Sequence, residues 1–155
     1  MNFSPSRPTS CVTPCTSAAA SPAPASPNVG STDERKAVQT ILVVDDELGA
    51  IEVVATALED EGYRVLSAAN GRHGLEKLTE GPVDLAVIDF MMPLLDGTAM
   101  GRTMKADPAF KKIPIIMMSA VGESVVRERF DGYAAFLRKP FRISALIDTV
   151  RRVLA

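Results

Sequence analysis

The segment Leu85-Ala86-Val87-Ile88-Asp89 decides the fold class, because four consecutive apolar residues end abruptly in a carboxylate. A short apolar run of this kind is typical of a strand that is buried on both faces of a sheet. Two other runs share the pattern, Ile41-Leu42-Val43-Val44 before Asp45 and residues 113–118 before Ser119. The chain therefore carries repeated buried strands that each end at a polar residue.

The segments between these strands predict helices, so that the two kinds of element alternate. Asn70 is a natural cap, and Gly62 and Gly81-Pro82 are natural stops. We predict strands over 41–44, 63–68, 85–88, 113–118 and 134–138, with a helix after each, the last three over 97–105, 123–130 and 144–154. Apolar strands that alternate with helices predict a parallel sheet covered on both sides, and right-handed crossovers make it doubly wound. We therefore expect an α/β domain with a doubly wound sheet of five parallel strands. If their order is 2-1-3-4-5, the architecture is flavodoxin-like, (βα)5.

Polar side chains follow four of the five predicted strands, and the second strand brings none. These residues are Asp45-Asp46-Glu47, Asp89, Ser119 and Lys139. Ligands of such sheets bind at the carboxyl ends of the strands, where the expected strand order makes these four ends neighbours. A single Asp in this position is more often a cap or a turn residue, and we interpret Asp96-Gly97 as a turn. Four matching strand ends favour a functional site.

The acidic residues of this cluster predict a magnesium site. Neighbouring carboxylates repel one another and raise each other's pKa unless a cation lies among them, and oxygen ligands are those that Mg²⁺ prefers. With the metal bound, a carboxylate can attack phosphorus while the developing charge is neutralised. Lys139 and the Ser119 hydroxyl offer donors to phosphoryl oxygens. Asp89, at the end of a central strand, is the best candidate for the nucleophile.

The bulk composition narrows the range of partners. The net charge of the 155 residues is -2, which gives no general attraction to nucleic acid or to an anionic membrane. No apolar run approaches the ~20 residues of a membrane-spanning helix, and no secretory signal is visible, so we expect a cytoplasmic protein.

Residues 1–38 are rich in Ser, Pro and Ala and predict a disordered tail before a domain over 39–155. Cys11 and Cys15 lie in that tail. We interpret them as ordinary thiols rather than a metal or redox pair, because a structural zinc site needs four ligands.

The domain resembles the receiver domain of bacterial two-component response regulators, of the stand-alone type related to chemotaxis regulators. The resemblance covers residues 40–155 and none of the tail. Its motifs are highly specific. They are Ile41-Leu42-Val43-Val44-Asp45-Asp46-Glu47, Asp84-Leu85-Ala86-Val87-Ile88-Asp89-Phe90-Met91-Met92-Pro93 with Asp96-Gly97, Pro114-Ile115-Ile116-Met117-Met118-Ser119-Ala120, and Phe136-Leu137-Arg138-Lys139-Pro140-Phe141.

The resemblance assigns an expected role to each residue of the acidic cluster. Asp89 is the expected phosphoacceptor. Asp46 and Asp89 are expected to bind Mg²⁺ through their side chains, and Asp45 through water. The backbone carbonyl of Met91 is the expected third protein ligand of the metal.

Three further residues receive roles from the same resemblance. Ser119 is similar to the hydroxyl residue that turns toward the phosphate, and Lys139 to the lysine that pairs with it. Phe136 stands at the position of the switching aromatic, so the phenol hydroxyl of a Tyr is missing there. The stretch from Ser119 to Lys139 is about two residues shorter than the usual family spacing. We therefore expect a short or reorganised fourth helix near Gly132 and Tyr133.

As a function, the resemblance implies a phosphoacceptor that takes a phosphoryl group from a sensor histidine kinase or a histidine phosphotransfer protein. It would catalyse only its own phosphorylation and dephosphorylation and would not be an enzyme with an external product. We expect no DNA-binding output domain and no nucleic-acid or membrane partner. Signalling would run through contact with a downstream protein target, by a monomer or a weak, phosphorylation-dependent dimer.

Three alternatives were weighed against this interpretation. An Asp-dependent phosphohydrolase generally carries a second Asp two positions after the nucleophile, where this chain has Met91. A flavodoxin-like cofactor module would place Ser, Thr and Gly, rather than Asp45-Asp46-Glu47, after the first strand. A degenerate receiver that binds partners constitutively is disfavoured by the complete set of site residues, but the short fourth helix keeps it open.

Overall fold

The computed structural model describes residues 37–155, and strands and helices alternate through all of them. The predicted tail therefore lies outside the described residues except for its last two, and so do Cys11 and Cys15. The strands are β1 Thr40–Val44, β2 Arg64–Ala68, β3 Leu85–Asp89, β4 Ile115–Ser119 and β5 Ala135–Arg138. The helices are α1 Leu48–Asp60, α2 Gly71–Glu80, α3 Gly97–Ala106, α4 Glu123–Arg129 and α5 Ile143–Leu154.

The five strands form one parallel sheet in the order β2-β1-β3-β4-β5, which confirms the predicted architecture. The three central strands are buried along their whole length, as their apolar runs predict. The register pairs Val44 with Ile88 and Asp89 with Met118, so the carboxyl ends of β1, β3 and β4 reach the same edge of the sheet.

Two apolar cores cover the two faces of the sheet, because successive strand side chains point to opposite sides. Ile41 and Val43 of β1 face a first core with α1 and α5, whereas Leu42 and Val44 face a second core with α2, α3 and α4. The helices contribute Ile51, Val54, Leu58, Leu146, Ile147 and Val150 to the first core and Leu78, Met100, Met104 and Val126 to the second. The prediction that Met100 and Met104 fill the core is confirmed, since both are fully buried.

Side-chain caps determine where two of the helices begin. The Asn70 side chain accepts a hydrogen bond from the backbone N–H of His73 at 2.8 Å, which confirms the predicted cap of α2. Asp96 caps α3 in the same way, accepting from the Ala99 N–H at 2.7 Å. Asp96 is thus the N-cap of a helix, and our interpretation of it as a turn residue was wrong. The short polar side chain of Asp suits a turn as well as a helix N-cap, and here the helix that follows makes it the cap.

The loop between β3 and α3 is held tightly at both of its ends. The N–H of Gly97 donates to the Phe90 carbonyl at 3.2 Å, and a Cβ at Gly97 would overlap the carbonyl oxygen of Asp89. Between these ends Leu94 is the central residue of a three-residue turn, closed by the Leu95 N–H and the Pro93 carbonyl at 2.9 Å. Its φ of 68° is strained for a residue other than glycine, and its side chain is 87% exposed.

Helix α4 has seven residues, which confirms the expected shortening. It ends at Arg129, and Gly132 and Tyr133 belong to the segment that leads into β5. Val126 is its buried residue, and Phe130 directly after it is buried as well. None of the helices between residues 37 and 155 has the length and apolar character that a membrane crossing requires.

Candidate phosphoacceptor site

Three carboxylates meet where β1 and β3 end. Asp45 follows β1 directly, Asp46 comes next, and Asp89 is the last residue of β3. One carboxylate oxygen from each of the three lies within 4.8 Å of the others. Asp45 and Asp89 are buried, whereas Asp46 is exposed, so the cluster opens to solvent on the side of Asp46.

Lys139 provides the positive charge of the cluster. Its Nζ donates to Oδ2 of Asp45 at 2.8 Å and lies 3.4 Å from Oδ2 of Asp89. Burial lowers the pKa of Lys139, but the hydrogen bond to Asp45 and the negative charges of Asp89 and Asp45 outweigh this effect and raise it. The backbone N–H of Lys139 donates to the Ser119 carbonyl at 2.8 Å, which ties the end of β5 to the end of β4. Lys139 is therefore charged and shared between two carboxylates, closer to Asp45.

The carboxyl group of Asp89 has a pKa raised from 3.8 to about 6. Burial is the largest cause, and the negative charge of Asp45 adds to it. The charge and hydrogen bond of Lys139 and the backbone of Met91 act in the opposite direction without cancelling the effect. The single positive charge of Lys139 therefore only partly balances the negative charges of the carboxylates of Asp45 and Asp89. A small divalent cation with oxygen ligands fits such a donor set.

Ser119 and Phe136 lie on the neighbouring strands β4 and β5, and only Ser119 stands at a strand end. Ser119 is fully buried at the end of β4, and its Oγ accepts a hydrogen bond from the Val121 N–H at 3.0 Å. Phe136 is half-buried on β5, opposite Met117 of β4, and packs at the border of the second core. The structure thus brings Asp45, Asp46, Asp89, Ser119 and Lys139 to one edge of the sheet.

A cavity of about 530 Å³ adjoins the exposed side of the cluster. Asp46 is part of its wall, together with apolar residues from the β3–α3 loop, the segment before α4 and α4 itself. The lining residues are Asp46, Phe90, Met91, Met92, Pro93, Asp96, Val121, Val125 and Arg129. The side chain of Met91 is 63% exposed, and the metal-binding role of its backbone carbonyl stays a prediction.

Two features near the site were not found from the sequence. The guanidinium of Arg129 lies over the Phe90 ring, 5.7 Å from its centroid, and connects α4 to the loop after β3. Glu123 and Arg127 of α4 form an ion pair at 2.8 Å, and both bond the hydroxyl of Tyr133. The four-residue spacing of Glu123 and Arg127 could have indicated their pair, since such residues are neighbours on a helix. Nothing in the sequence indicates the contacts of Arg129 or Tyr133, because both depend on where α4 ends.

The sequence matches the family described as "Response regulator receiver domain" over residues 41–151. It is 35% identical over 118 residues to the phosphate regulon transcriptional regulatory protein PhoB of Pseudomonas aeruginosa, covering 75% of this chain and 52% of that protein. The chemotaxis protein CheY4 of Vibrio cholerae has a similar structure, with a TM-score of 0.73 at 30% identity over 76% of this chain and 100% of that one. The receiver domain of the sensor histidine kinase PA1611 from Pseudomonas aeruginosa was solved with a magnesium ion coordinated in its active site cleft. It matches with a TM-score of 0.70 at 29% identity over 76% of this chain and 98% of that one.

The chain therefore belongs to the response regulator receiver domain family of two-component signalling. Receiver domains are regulatory phosphoacceptors rather than enzymes with a separate product, and they interact with histidine kinases or phosphotransfer proteins. The chain spans about half the length of several curated relatives that it matches, PhoB among them. The family agrees with the resemblance drawn from the motifs at the strand ends.

Proposed function

We propose that this protein accepts a phosphoryl group on Asp89, with Mg²⁺ as cofactor, from the phosphohistidine of a sensor histidine kinase or a histidine phosphotransfer protein. The observation that carries this proposal is the meeting of Asp45, Asp46 and Asp89 within 4.8 Å beside Lys139. Asp89 ends a central strand beside Lys139, and the cluster opens to solvent at Asp46, so a phosphoryl donor could approach from the side of Asp46.

Asp45, Asp46 and Asp89 would hold the Mg²⁺, together with the backbone carbonyl of Met91. The donor set consists of the hard oxygen ligands that Mg²⁺ prefers, and the uncompensated charge at Asp89 favours a cation there. When bound, the metal supplies neutralisation of the negative charge that gathers on the phosphoryl oxygens. The magnesium ion in the cleft of the PA1611 receiver domain supports the same assignment by similarity.

In the proposed reaction one carboxylate oxygen of Asp89 forms a bond to phosphorus as the bond from phosphorus to the donor's imidazole nitrogen breaks. Lys139 lies near enough to both buried carboxylates to exchange its contact with Asp45 for one with a phosphoryl oxygen. The Ser119 hydroxyl, now an acceptor from the Val121 N–H, is a second donor that can turn toward the phosphoryl group. Ala120 is small and leaves room beside it.

The phosphorylated form would signal by protein–protein contact through the movement of Ser119 and Phe136. Phe136 is half-buried and lies on the strand next to Ser119, so it has both a neighbour that responds to phosphorylation and a route to the surface. We propose that a downstream protein target reads this change, with the protein as a monomer or a weak dimer. The signal would not require DNA binding by residues 37–155.

Intact-mass measurement after incubation with Mg²⁺ and acetyl phosphate or phosphoramidate tests this function, with Asp89→Asn as the matched control. A gain of one phosphoryl group that depends on Mg²⁺ and is lost in Asp89→Asn is the expected outcome. A Mg²⁺ titration without donor runs beside it, because a working receiver should bind the metal alone. Neither mass gain nor metal binding would reject the proposal in favour of a degenerate receiver that binds its partners constitutively.

A further inference from the structure

Three aromatic rings form a continuous series between α4 and β5. The ring centroids of Phe130 and Tyr133 are 6.4 Å apart with planes at 53°, and those of Tyr133 and Phe136 are 6.2 Å apart at 48°. These separations and tilts are typical of favourable aromatic pairs. The half-buried Phe136 therefore has Tyr133 as a direct aromatic neighbour, and its ring cannot change place without a response from that neighbour.

The other end of the Tyr133 side chain is bonded to α4. Its hydroxyl donates to Oε1 of Glu123 at 3.0 Å and accepts from Nε of Arg127 at 3.4 Å. Arg127 and Glu123 are paired at 2.8 Å one helical turn apart. A single side chain thus joins the ring at position 136 to the charged surface of α4.

The short helix is what places Tyr133 between these two elements. Because α4 ends at Arg129, Phe130 turns inward and occupies the space beside Gly101 and Gly132. A Cβ at Gly132 would lie 2.8 Å from the Phe130 ring, and one at Gly101 would lie 2.7 Å from it, so both glycines leave room for the ring. The chain then returns to the sheet at Ala134, whose N–H donates to the Ile115 carbonyl at 2.7 Å. The backbone at Tyr133 therefore lies between the packed ring of Phe130 and the hydrogen bond of Ala134 to the sheet.

We propose that Tyr133 is a positioning residue that couples Phe136 to α4 and supplies, from the neighbouring segment, the phenol hydroxyl that position 136 lacks. The inference rests on the proposed function, since it concerns how phosphorylation of Asp89 is passed on. The bonds of the Tyr133 hydroxyl to Glu123 and Arg127 belong to the arrangement described here, in which the Ser119 hydroxyl accepts from the Val121 N–H. They favour that arrangement over one in which Phe136 has moved, and α4 is the element that changes when they break.

Intrinsic fluorescence isolates Tyr133, because the chain has two tyrosines and no tryptophan. In a Tyr63→Phe background Tyr133 is the sole tyrosine, and Tyr63 lies on the other side of the sheet, against the first core. Addition of beryllofluoride, which mimics a phosphoryl group on a carboxylate, together with Mg²⁺ is expected to change the Tyr133 emission. The same addition to the Tyr63→Phe, Asp89→Asn protein should leave the emission unchanged.

Calorimetric titration with beryllofluoride in Mg²⁺ tests which arrangement the hydroxyl favours. Tyr133→Phe keeps the ring and removes the hydroxyl, and we expect it to tighten apparent binding by about 2- to 10-fold, the range of one modest hydrogen bond. Glu123→Gln should act in the same direction, and the double variant should fall short of the product of the two effects. Glu76→Gln is the matched control, because Glu76 pairs with Arg72 at the same spacing on α2 without an aromatic contact.

The outcomes separate this inference from the function on which it rests. A mass gain on Asp89 with unchanged Tyr133 emission and unchanged affinity in Tyr133→Phe would overturn the coupling and leave the phosphoacceptor function standing. Weaker binding in Tyr133→Phe would overturn it too, because the hydroxyl would then favour the phosphorylated arrangement. Failure of both phosphorylation and beryllofluoride binding in the unaltered protein would overturn the two together.

Discussion

At the scale of single residues, the surroundings of Asp89 disfavour the ionised form of its carboxyl group. The group is buried and lies beside Asp45, and Lys139 is nearer to Asp45 than to Asp89. The pKa of Asp89 is raised from 3.8 to about 6 in consequence. Ionisation of Asp89 without a cation therefore costs folding free energy at neutral pH.

Asp89→Asn is expected to stabilise the metal-free protein at pH 7.5 by about 1–3 kcal/mol, since about two pKa units separate the two states. The unfolded chain loses this proton near pH 3.8, whereas the folded protein keeps it until about pH 6. The stability of the unaltered protein therefore falls as pH rises through that window, and Asn escapes the fall. Urea unfolding in EDTA at pH 7.5 and pH 4 measures the free energy of unfolding of the unaltered protein and of Asp89→Asn at each pH.

The gain from Asp89→Asn should be nearly absent at pH 4, where Asp89 is protonated in the folded state. Asp148→Asn on the exposed side of α5 serves as the control, with an expected change within about 0.5 kcal/mol at either pH. Equal gains at both pH values, or a loss at pH 7.5, would contradict the account of Asp89.

The sequence predicted the members of the acidic site but not their pairing. Asp45, Asp46, Asp89 and Lys139 could be placed together because each follows a strand, and parallel strands end at one edge. That Lys139 bonds Asp45 more closely than Asp89 depends on the backbone after β5 and on side-chain rotamers. No spacing in the sequence encodes those details. Burial and the charge of Asp45 raise the pKa of Asp89, and the charge and hydrogen bond of Lys139 lower it without cancelling that effect.

At the scale of elements, the start of α3 is fitted against the end of β3. A Cβ at Gly97 would overlap the Asp89 carbonyl oxygen, which is backbone and cannot turn away. Gly49 in the first turn of α1 has nothing within 4 Å of the same position. The two helical glycines therefore meet opposite requirements, although both occur near the start of a helix.

Gly97→Ala is expected to destabilise the protein by about 1–3 kcal/mol, because α3 must move away from β3 to accept the methyl group. Gly49→Ala, the matched control, is expected to be neutral or to stabilise by up to about 1 kcal/mol through helix propensity. Urea unfolding at one pH compares the two. If Gly97→Ala were as stable as Gly49→Ala, the close contact between α3 and β3 would be refuted.

Element order and type were predictable, and the ends of elements were less so. The strand predicted over 113–118 begins two residues later, at Ile115, because Pro114 has no N–H to donate and only its carbonyl bonds to Ala86. Helix α4 was predicted to continue to Phe130, but the ring of Phe130 turns into the second core. Local propensity does not distinguish a last helical residue from a buried residue just after it.

At the scale of the whole molecule, a cation bound by the three carboxylates would link the ends of β1 and β3. Each of these two strands contributes side chains to both cores. Mg²⁺ that binds only the folded protein stabilises it by mass action, by about 2.7 kcal/mol at a hundredfold excess over its dissociation constant. We therefore expect the urea midpoint to rise steadily with Mg²⁺ concentration. Asp46→Asn, which removes the exposed carboxylate of the cluster, should flatten this rise.

Sodium chloride at matched ionic strength is the necessary comparison, since screening alone weakens repulsion among carboxylates. A rise of the midpoint with Mg²⁺ well beyond that with Na⁺ is the expected result. Equal responses to the two salts would indicate that the cluster is acidic without being a metal site.

A doubly wound parallel sheet could be predicted because it follows from alternation of elements and the handedness of crossovers. The strand order 2-1-3-4-5 does not follow from those two rules, since another order also satisfies them. The contacts of Tyr133 could not be predicted, since they arise from where α4 ends and which ring fills the space after it. No motif or spacing in the sequence relates Tyr133 to Phe136 and Glu123, and only the folded chain joins them.

The strand order also has a consequence for the way the chain is made. During synthesis β2 emerges after β1, β3 joins the free side of β1, and β4 and β5 each add to the newest edge. Each strand after β1 is therefore synthesised when one of its neighbours in the sheet has already been made. The core beneath α2, α3 and α4 can close early, whereas the opposite core waits for Leu146, Ile147 and Val150 of α5. Until α5 has been made, α1 alone among the helices covers the first core.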